Sequence, residues 1–324
     1  MKFGIMGLGK IADKFAQTVR DYETGAVIAA VASNSAERSE GFAREYGITN
    51  HFGSYAEMLD FGDFDAVYIS ATNEKHYDCC LSSIKAGKHV LCEKPLVLSP
   101  QEARDLKEAA AQSGVFLMEA IWTRFLPAHE KAIEWALGGK IGELRGVSSS
   151  FCLSSEFDPN SRKFSTALGG GAVYDIGIYC LQLTRLLTRG RELKDVKTIV
   201  IPLGTGVDMT SSALMLYEGD FVADFRCSFN TRSPNEAYIL GKSGYIRISQ
   251  FFHHTQRVEL YTSPTAVDNH SPKPDDVFVY ETASGFEFQI RHFVECVAKG
   301  LAESPVMPPD DSIWLAEMME RVIR

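Results

Sequence analysis

Phe3-Gly4-Ile5-Met6-Gly7-Leu8-Gly9-Lys10-Ile11-Ala12 is the stretch whose reading decides the fold. An apolar strand over residues 3–6 runs into two glycines one residue apart, and a helical pattern follows to about Arg20. Gly7 permits a tight turn, and Gly9 lets the backbone approach a pyrophosphate. Ala12 takes the third glycine's place, where helix and strand pack closely. The helix N-terminus then offers free N–H groups and a partial positive charge to phosphate oxygens. Strand, glycine turn and helix in this order form a dinucleotide-binding unit. Gly7, Leu8, Gly9, Lys10 and Ile11 are therefore candidate cofactor residues.

Residues 26–32 are nearly continuous Ala, Val and Ile, as a buried parallel strand should be. An NAD-preferring site usually places Asp or Glu at that strand's end, on the ribose 2′-hydroxyl. Here stand Ser33-Asn34-Ser35, with Arg38 one helical turn beyond. Without a carboxylate to repel a 2′-phosphate, the set favours NADP, with NAD still possible. The plainer reading is a helix cap at Ser35 and a solvated Arg38. The pattern continues with a helix over 36–46, a short connection through Phe52, and a helix over 55–59 capped by Ser54. A strand at 66–70, a helix at 77–86, a capping-box helix at 100–113 and a strand at 115–118 follow. Strands alternating with helices predict a parallel sheet with right-handed crossovers.

Ligands bind beyond the carboxyl ends of such strands. Thr72, Asn73 and His76 lie at one of these ends. Another belongs to Val90-Leu91-Cys92, an apolar run closed by Glu93-Lys94-Pro95. Proline biases the preceding residue away from helix, so Lys94 sits at the lip of the sheet. A lysine there can hold a substrate hydroxyl or move its proton. An isolated Glu-Lys-Pro reads more readily as a surface salt bridge at a strand end, and the motifs on either side shift the reading toward the site.

The 324 residues suit two domains, and 45% hydrophobic with 23% charged residues is an ordinary globular balance. A net charge of −9 leaves no basic stripe to neutralise phosphates, so no nucleic-acid partner is expected. Seven scattered cysteines, none with zinc-ligand spacing, fit reduced thiols in a cytoplasmic setting. A strand opening at residue 3 leaves no room for a signal peptide. No run approaches the roughly 18 apolar residues of a membrane span, so no membrane partner is expected.

The order of the glycine turn, Thr72-Asn73-x-x-His76, Gly87-Lys88-His89-Val90 with Glu93-Lys94-Pro95, and Met118-Glu119-Ala120-Ile121-Trp122-Thr123-Arg124 resembles the glucose–fructose oxidoreductase/inositol dehydrogenase (Gfo/Idh/MocA) family. Within it, Glu119 through Phe125 and Gly169 through Cys180 are most similar to the dimeric dihydrodiol and D-xylose dehydrogenase branch. The resemblance covers nearly the whole chain. It implies a Rossmann doubly wound parallel sheet over 1–120, and a substrate-binding and dimerisation α+β domain with a mostly antiparallel open sheet over 121–324. The final helices are free to pack back on the first domain. It also implies that Lys94 contacts the reacting hydroxyl and the nicotinamide ribose, and that the Lys94–Pro95 bond is cis. Glu93 joins the cofactor set on this ground, and Trp122 and Arg124 are placed at the nicotinamide end.

Beyond Pro127 the alternation ends. A helix over 128–137 and a strand over 144–153 precede a polar segment, 154–168, that reads as a substrate loop. Gly169-Gly170-Gly171 then opens a helix to Leu187, on which Asp175 and Tyr179 share a face. The family commonly has aspartate and histidine at these places, and this chain has tyrosine at the second. A phenol normally titrates near 10, and an ammonium from Lys94 beside it would favour the phenolate. Strands at 194–202, 210–217, 220–229, 236–241, 244–249 and 257–262, a loop at 263–276 and helices near 286–300 and 310–323 complete the chain. Phe278 is expected to border the substrate pocket. Phe251-Phe252-His253-His254 tempts a metal reading, but adjacent histidines at a strand end point opposite ways, and no metal is expected.

The expected activity is hydride transfer between NADP (or NAD) and a secondary alcohol of a sugar, cyclic polyol or trans-dihydrodiol. Lys94 and Tyr179 would handle the proton, with Asp175 in support. Two other readings keep the fold: a glycosidase that retains its nicotinamide cofactor, and a non-catalytic dinucleotide sensor. A sensor has no need of the proton-handling set. The open face of the second sheet is expected to pair with another copy of the chain.

Overall fold

In the computed structural model, residues 1–263 and 272–324 are described, so most of the loop expected over 263–276 lies outside the described residues. The chain divides into two compact units, Met1–Trp122 with Ser284–Ala316, and Thr123–Ala283 with Glu317–Arg324.

The first unit holds β1 (Lys2–Met6), β2 (Val27–Ala32), β3 (Asn50–Phe52), β4 (Ala66–Ile69), β5 (His89–Glu93) and β6 (Leu117–Ala120). All neighbours are parallel, in the order β3-β2-β1-β4-β5-β6. This is the doubly wound dinucleotide order, whose switch point lies between β1 and β4. The central strands β4 and β5 are buried almost throughout, which is why they read as unbroken apolar runs. The helices are α1 (Lys10–Asp21), α2 (Ala36–Tyr46), α3 (Tyr55–Phe61), α4 (His76–Lys85) and α5 (Pro100–Ser113). Ser35, Ser54 and Ser99 cap α2, α3 and α5 through their hydroxyls, and Ser99 with Glu102 forms the expected capping box. β3 replaces the expected connection through Phe52. Three residues pairing with the end of β2 carry too short a pattern to read. The helix Phe286–Ala298 completes this core: Phe293 lies 5.6 Å from Phe3 and 5.2 Å from Phe116, ring centre to ring centre.

The second unit opens with α6 (Pro127–Leu137) and β7 (Leu144–Cys152). A single π-helical turn, Val173–Gly177, leads into α7 (Ile178–Thr188). Then come β8 (Leu193–Pro202), β9 (Asp208–Tyr217), β10 (Phe221–Ser228), β11 (Ala237–Gly241), β12 (Gly244–Ile248), β13 (Arg257–Tyr261) and β14 (Asp276–Val279). Their order is β14-β13-β12-β11-β7-β10-β9-β8, antiparallel except where β10 meets β7. One face buries Met215, Phe221, Phe225, Ile239 and Ile246. The other exposes Ile199, Ile201, Leu214 and Leu216.

Two expectations are corrected here. The loop expected over 263–276 stops one residue early, where the strand Asp276–Val279 begins and pairs in register with β13. The run Gly169-Gly170-Gly171 is a corner before the helix and not its first turn: Gly170 N–H donates to Ser165 O and Gly171 N–H to Lys163 O.

Candidate active site

Gly7 has φ +88°, and a Cβ there would lie 2.6 Å from the Ala71 amide, so only glycine fits this turn. Gly9 caps α1 in an extended conformation with no side-chain cap, and a Cβ on it would meet nothing within 4 Å. The N–H groups of the first turn of α1 thus face an open cradle flanked by Leu8, Lys10 and Ile11. That is the donor set a pyrophosphate needs.

The corner after β2 differs from expectation. Ser33 is buried, donating to Ser35 O at 2.8 Å and accepting from Ser35 N–H at 3.1 Å, so its hydroxyl closes the turn. Asn34 and Arg38 are exposed. Ser35 Oγ accepts from Arg38 N–H and donates to Glu37 Oε2 at 2.7 Å. The corner does carry a carboxylate, two residues beyond the place where the motif looks for one.

On the rim after β4, Thr72 Oγ1 donates to Glu74, and Asn73 opens a short 3₁₀ turn. His76 is 1% exposed, with Nδ1 2.7 Å from Pro95 O and Nε2 3.1 Å from Ala71 O. Expected as a cofactor ligand, its ring instead ties the loop after β4 to the loop after β5. Burial lowers its pKa, against the pull of both carbonyls. Glu93 is buried and accepts from Tyr68 OH at 2.7 Å. Burial raises its pKa, with Tyr68 and Lys94 opposing. Glu119 Oε1 accepts from Leu96 N–H at 2.8 Å, and the Lys94–Pro95 bond is cis. Three side chains, on α4, β5 and β6, therefore fix the segment that presents half-buried Lys94. Trp122, 8% exposed, ends this unit with the Lys14 ammonium 4.2 Å from its ring centre.

In the second unit Asp175 lies on the π turn and Tyr179 one turn on. π turns are rare and recur at functional sites. Asp208, on β9, builds this corner: its Oδ2 accepts from Val173 N–H at 3.0 Å and from Ser211 Oγ at 2.8 Å. A Cβ on Gly171 would lie 2.5 Å from Asp208 Oδ1. Asp175 accepts from Arg162 Nη1 at 2.9 Å; its side chain is 10% exposed and that of Arg162 56%. Tyr179 is 7% exposed and packs its ring against Phe151 at 5.6 Å and His253 at 5.1 Å. Arg124 is buried, its Nε donating to Gln182 Oε1 on α7 at 3.3 Å, a contact within this unit. Phe278 lies on β14 opposite Val258.

Arg162 and Asp208 were not singled out from the sequence, and His253 was weighed there only as a metal ligand. The histidine pair lies on a 3₁₀ turn, Phe252–His254, and not on a strand end. Its ring nitrogens approach to 3.0 Å, so the rings do not point opposite ways.

Residues 1–121 match the model for the "Oxidoreductase family, NAD-binding Rossmann fold", and residues 129–247 match the "GFO/IDH/MocA C-terminal domain". A trans-1,2-dihydrobenzene-1,2-diol dehydrogenase of Mus musculus is 33% identical over 321 residues, covering 99% of this chain and 95% of that one. The chain belongs to the GFO/IDH/MocA oxidoreductase family. Among solved structures, an aldose-aldose oxidoreductase of Caulobacter crescentus complexed with glycerol shares the fold at TM-score 0.87 and 24% identity, over 99% of this chain and 96% of that one. A 3-ketoreductase of Actinomadura kijaniata, in complex with TDP-benzene and NADP, superposes at TM-score 0.83 with 25% identity over the same shares. Membership makes this an oxidoreductase with a nicotinamide-binding first unit.

Proposed function

We propose that the chain oxidises a secondary alcohol of a sugar, cyclic polyol or trans-dihydrodiol, or reduces the matching carbonyl, with NADP as the preferred cofactor. The observation that carries this reading is the built support of Lys94 and Asp175. His76, Glu93 and Glu119 hold the Lys94 segment, and Arg162 and Asp208 hold the turn that bears Asp175. A binding module needs neither construction. The oxidised nicotinamide ring supplies a hydride acceptor for the carbinol carbon. Tyr179 takes the hydroxyl proton in oxidation and returns it in reduction, Lys94 holds the reacting oxygen, and Asp175 orients a neighbouring hydroxyl. Exposed Asn34 and Arg38 support the preference for a 2′-phosphate, against which Glu37 acts. The dihydrodiol relative and the NADP-bound ketoreductase support the substrate and cofactor classes.

The test is reduced-nicotinamide absorbance with NADP+ or NAD+ and D-xylose, D-glucose, inositol or a trans-dihydrodiol. Lys94→Ala and Tyr179→Phe should each lower kcat by about 10²–10⁴, the usual worth of a positioned acid or base. Turnover that survives Tyr179→Phe would take the proton from the tyrosine and leave it to Lys94.

We also propose a homodimer through the open face of the eight-stranded sheet. Its apolar row carries Asp224 and Arg226 beside it on β10, and a face holding both signs of charge suits a self-complementary two-fold contact. All seven cysteines are buried and unpaired, which supports a reducing, cytoplasmic setting. Among the described residues no helix is long and apolar enough to cross a membrane.

A further inference from the structure

We propose that Lys14 is a positioning residue whose ammonium clamps the Trp122 ring and so fixes one wall of the nicotinamide pocket. The proposal rests on the reading of Trp122 given above, and it concerns a residue that no motif and no step of the proposed chemistry uses. Lys14 lies in the second turn of α1, beyond the glycine cradle. Its Nζ is 4.2 Å from the Trp122 ring centre and 4.6 Å from that of Phe286. The two rings are themselves 5.1 Å apart and inclined at 51°, so the ammonium faces two aromatic surfaces at once. Both distances are inside the range in which a cation is held by a ring's quadrupole.

The surroundings favour a charged clamp over simple packing of a lysine stem. Glu93, on β5, and Glu287, on the helix Phe286–Ala298, are the carboxylates that act on Lys14, and Tyr68 donates to Glu93. Trp122 and Phe286 are nearly buried. Partial burial lowers the lysine's pKa while the two carboxylates raise it, and burial is the larger effect. Lys14 also sits close to the charge balance of Glu93, the residue directly before Lys94. A neutral residue at position 14 would release the indole and leave Lys94 as the cation acting on Glu93.

A lysine acting only through its methylenes is replaced by methionine without loss, whereas a cation is replaced by arginine. The experiment follows the alkaline titration of Trp122 emission in cofactor-free protein, as the difference between parent and Trp122→Phe, and measures NADP+ and NAD+ binding by calorimetry. The parent should show a Trp122-specific transition below the ordinary lysine value of about 10.4. Lys14→Met and Lys14→Arg should both lack it, because neither titrates there. Kd for the cofactor should rise about tenfold in Lys14→Met and return to within about twofold in Lys14→Arg. A Trp122 transition unchanged in Lys14→Met, or a Met variant that binds cofactor as the parent does, would overturn the clamp. A parent that binds neither dinucleotide would overturn the cofactor reading itself, and the positioning role with it.

Discussion

Arg162 meets Asp175 from a polar segment without periodicity, where neither helix nor strand spacing predicts what a side chain reaches. The pair is asymmetric: a nearly buried carboxylate is held by a guanidinium more than half exposed. Solvent screens the partner, so the pair's own contribution to stability is on the order of 1 kcal/mol or less. Its larger role is to keep Asp175 in one orientation. Arg162→Met should raise KM for the alcohol about tenfold while kcat changes little, the signature of lost uniform binding, and Arg162→Lys should recover part of it. Steady-state kinetics on both variants check this, and equal KM values in all three proteins would remove Asp175's dependence on Arg162. The contact of His253 with Tyr179 was hidden for a related reason. The histidine's neighbours Phe251 and Phe252 look like a strand end, and only the 3₁₀ turn brings its ring to 4.2 Å from Phe151 and 5.1 Å from Tyr179. By contrast the Gly7 turn and the corner at Lys94–Pro95 were legible because each belongs to a dense local motif.

Among the elements, β1, β4, β5 and the second half of β2 were readable because burial on both faces writes a continuous apolar run. β3 and β14 were not, at three and four residues and half-buried. The π turn at Val173–Gly177 was invisible because one extra residue in a single turn barely disturbs the apolar period. α6 carries a consequence for pH. His129 on it is fully buried, with Nε2 2.5 Å from Phe252 O, and burial lowers its pKa from 6.5 to about 4. Above pH 6.5 the ring is neutral in both states and makes no difference. Between 6.5 and about 4 the unfolded chain takes up a proton that the folded chain refuses, so stability falls toward acid, by roughly 3 kcal/mol over the window. Glu93 and Asp208, both raised by burial, act in the opposite direction. Urea unfolding from pH 7 to 4 should therefore show a flatter profile for His129→Gln than for the parent. Parallel profiles would show that His129 takes up its proton without unfolding.

For the whole molecule, the open face of the eight-stranded sheet leaves Ile199 at 72% and Leu214 at 52% exposure on neighbouring strands. Leu214→Glu with Ile199→Asp should convert a species of twice 35.9 kDa into one of 35.9 kDa by light scattering at micromolar concentration, with the parent's secondary structure intact. A parent already at the lower mass would end the dimer proposal. The division of the chain has a separate outcome, in the order of events during synthesis. Phe293, against which Phe3 and Phe116 pack, is translated some 170 residues after the sixth parallel strand. At about 5–20 residues per second, the nascent first unit waits on the order of ten seconds or more for its last aromatic wall. The second unit's strands, contiguous from β7 to β14, emerge during that wait. The fragment 1–122 made alone should therefore bind a hydrophobic dye and lack sharp tertiary signals, and adding back a peptide spanning 284–316 should restore them.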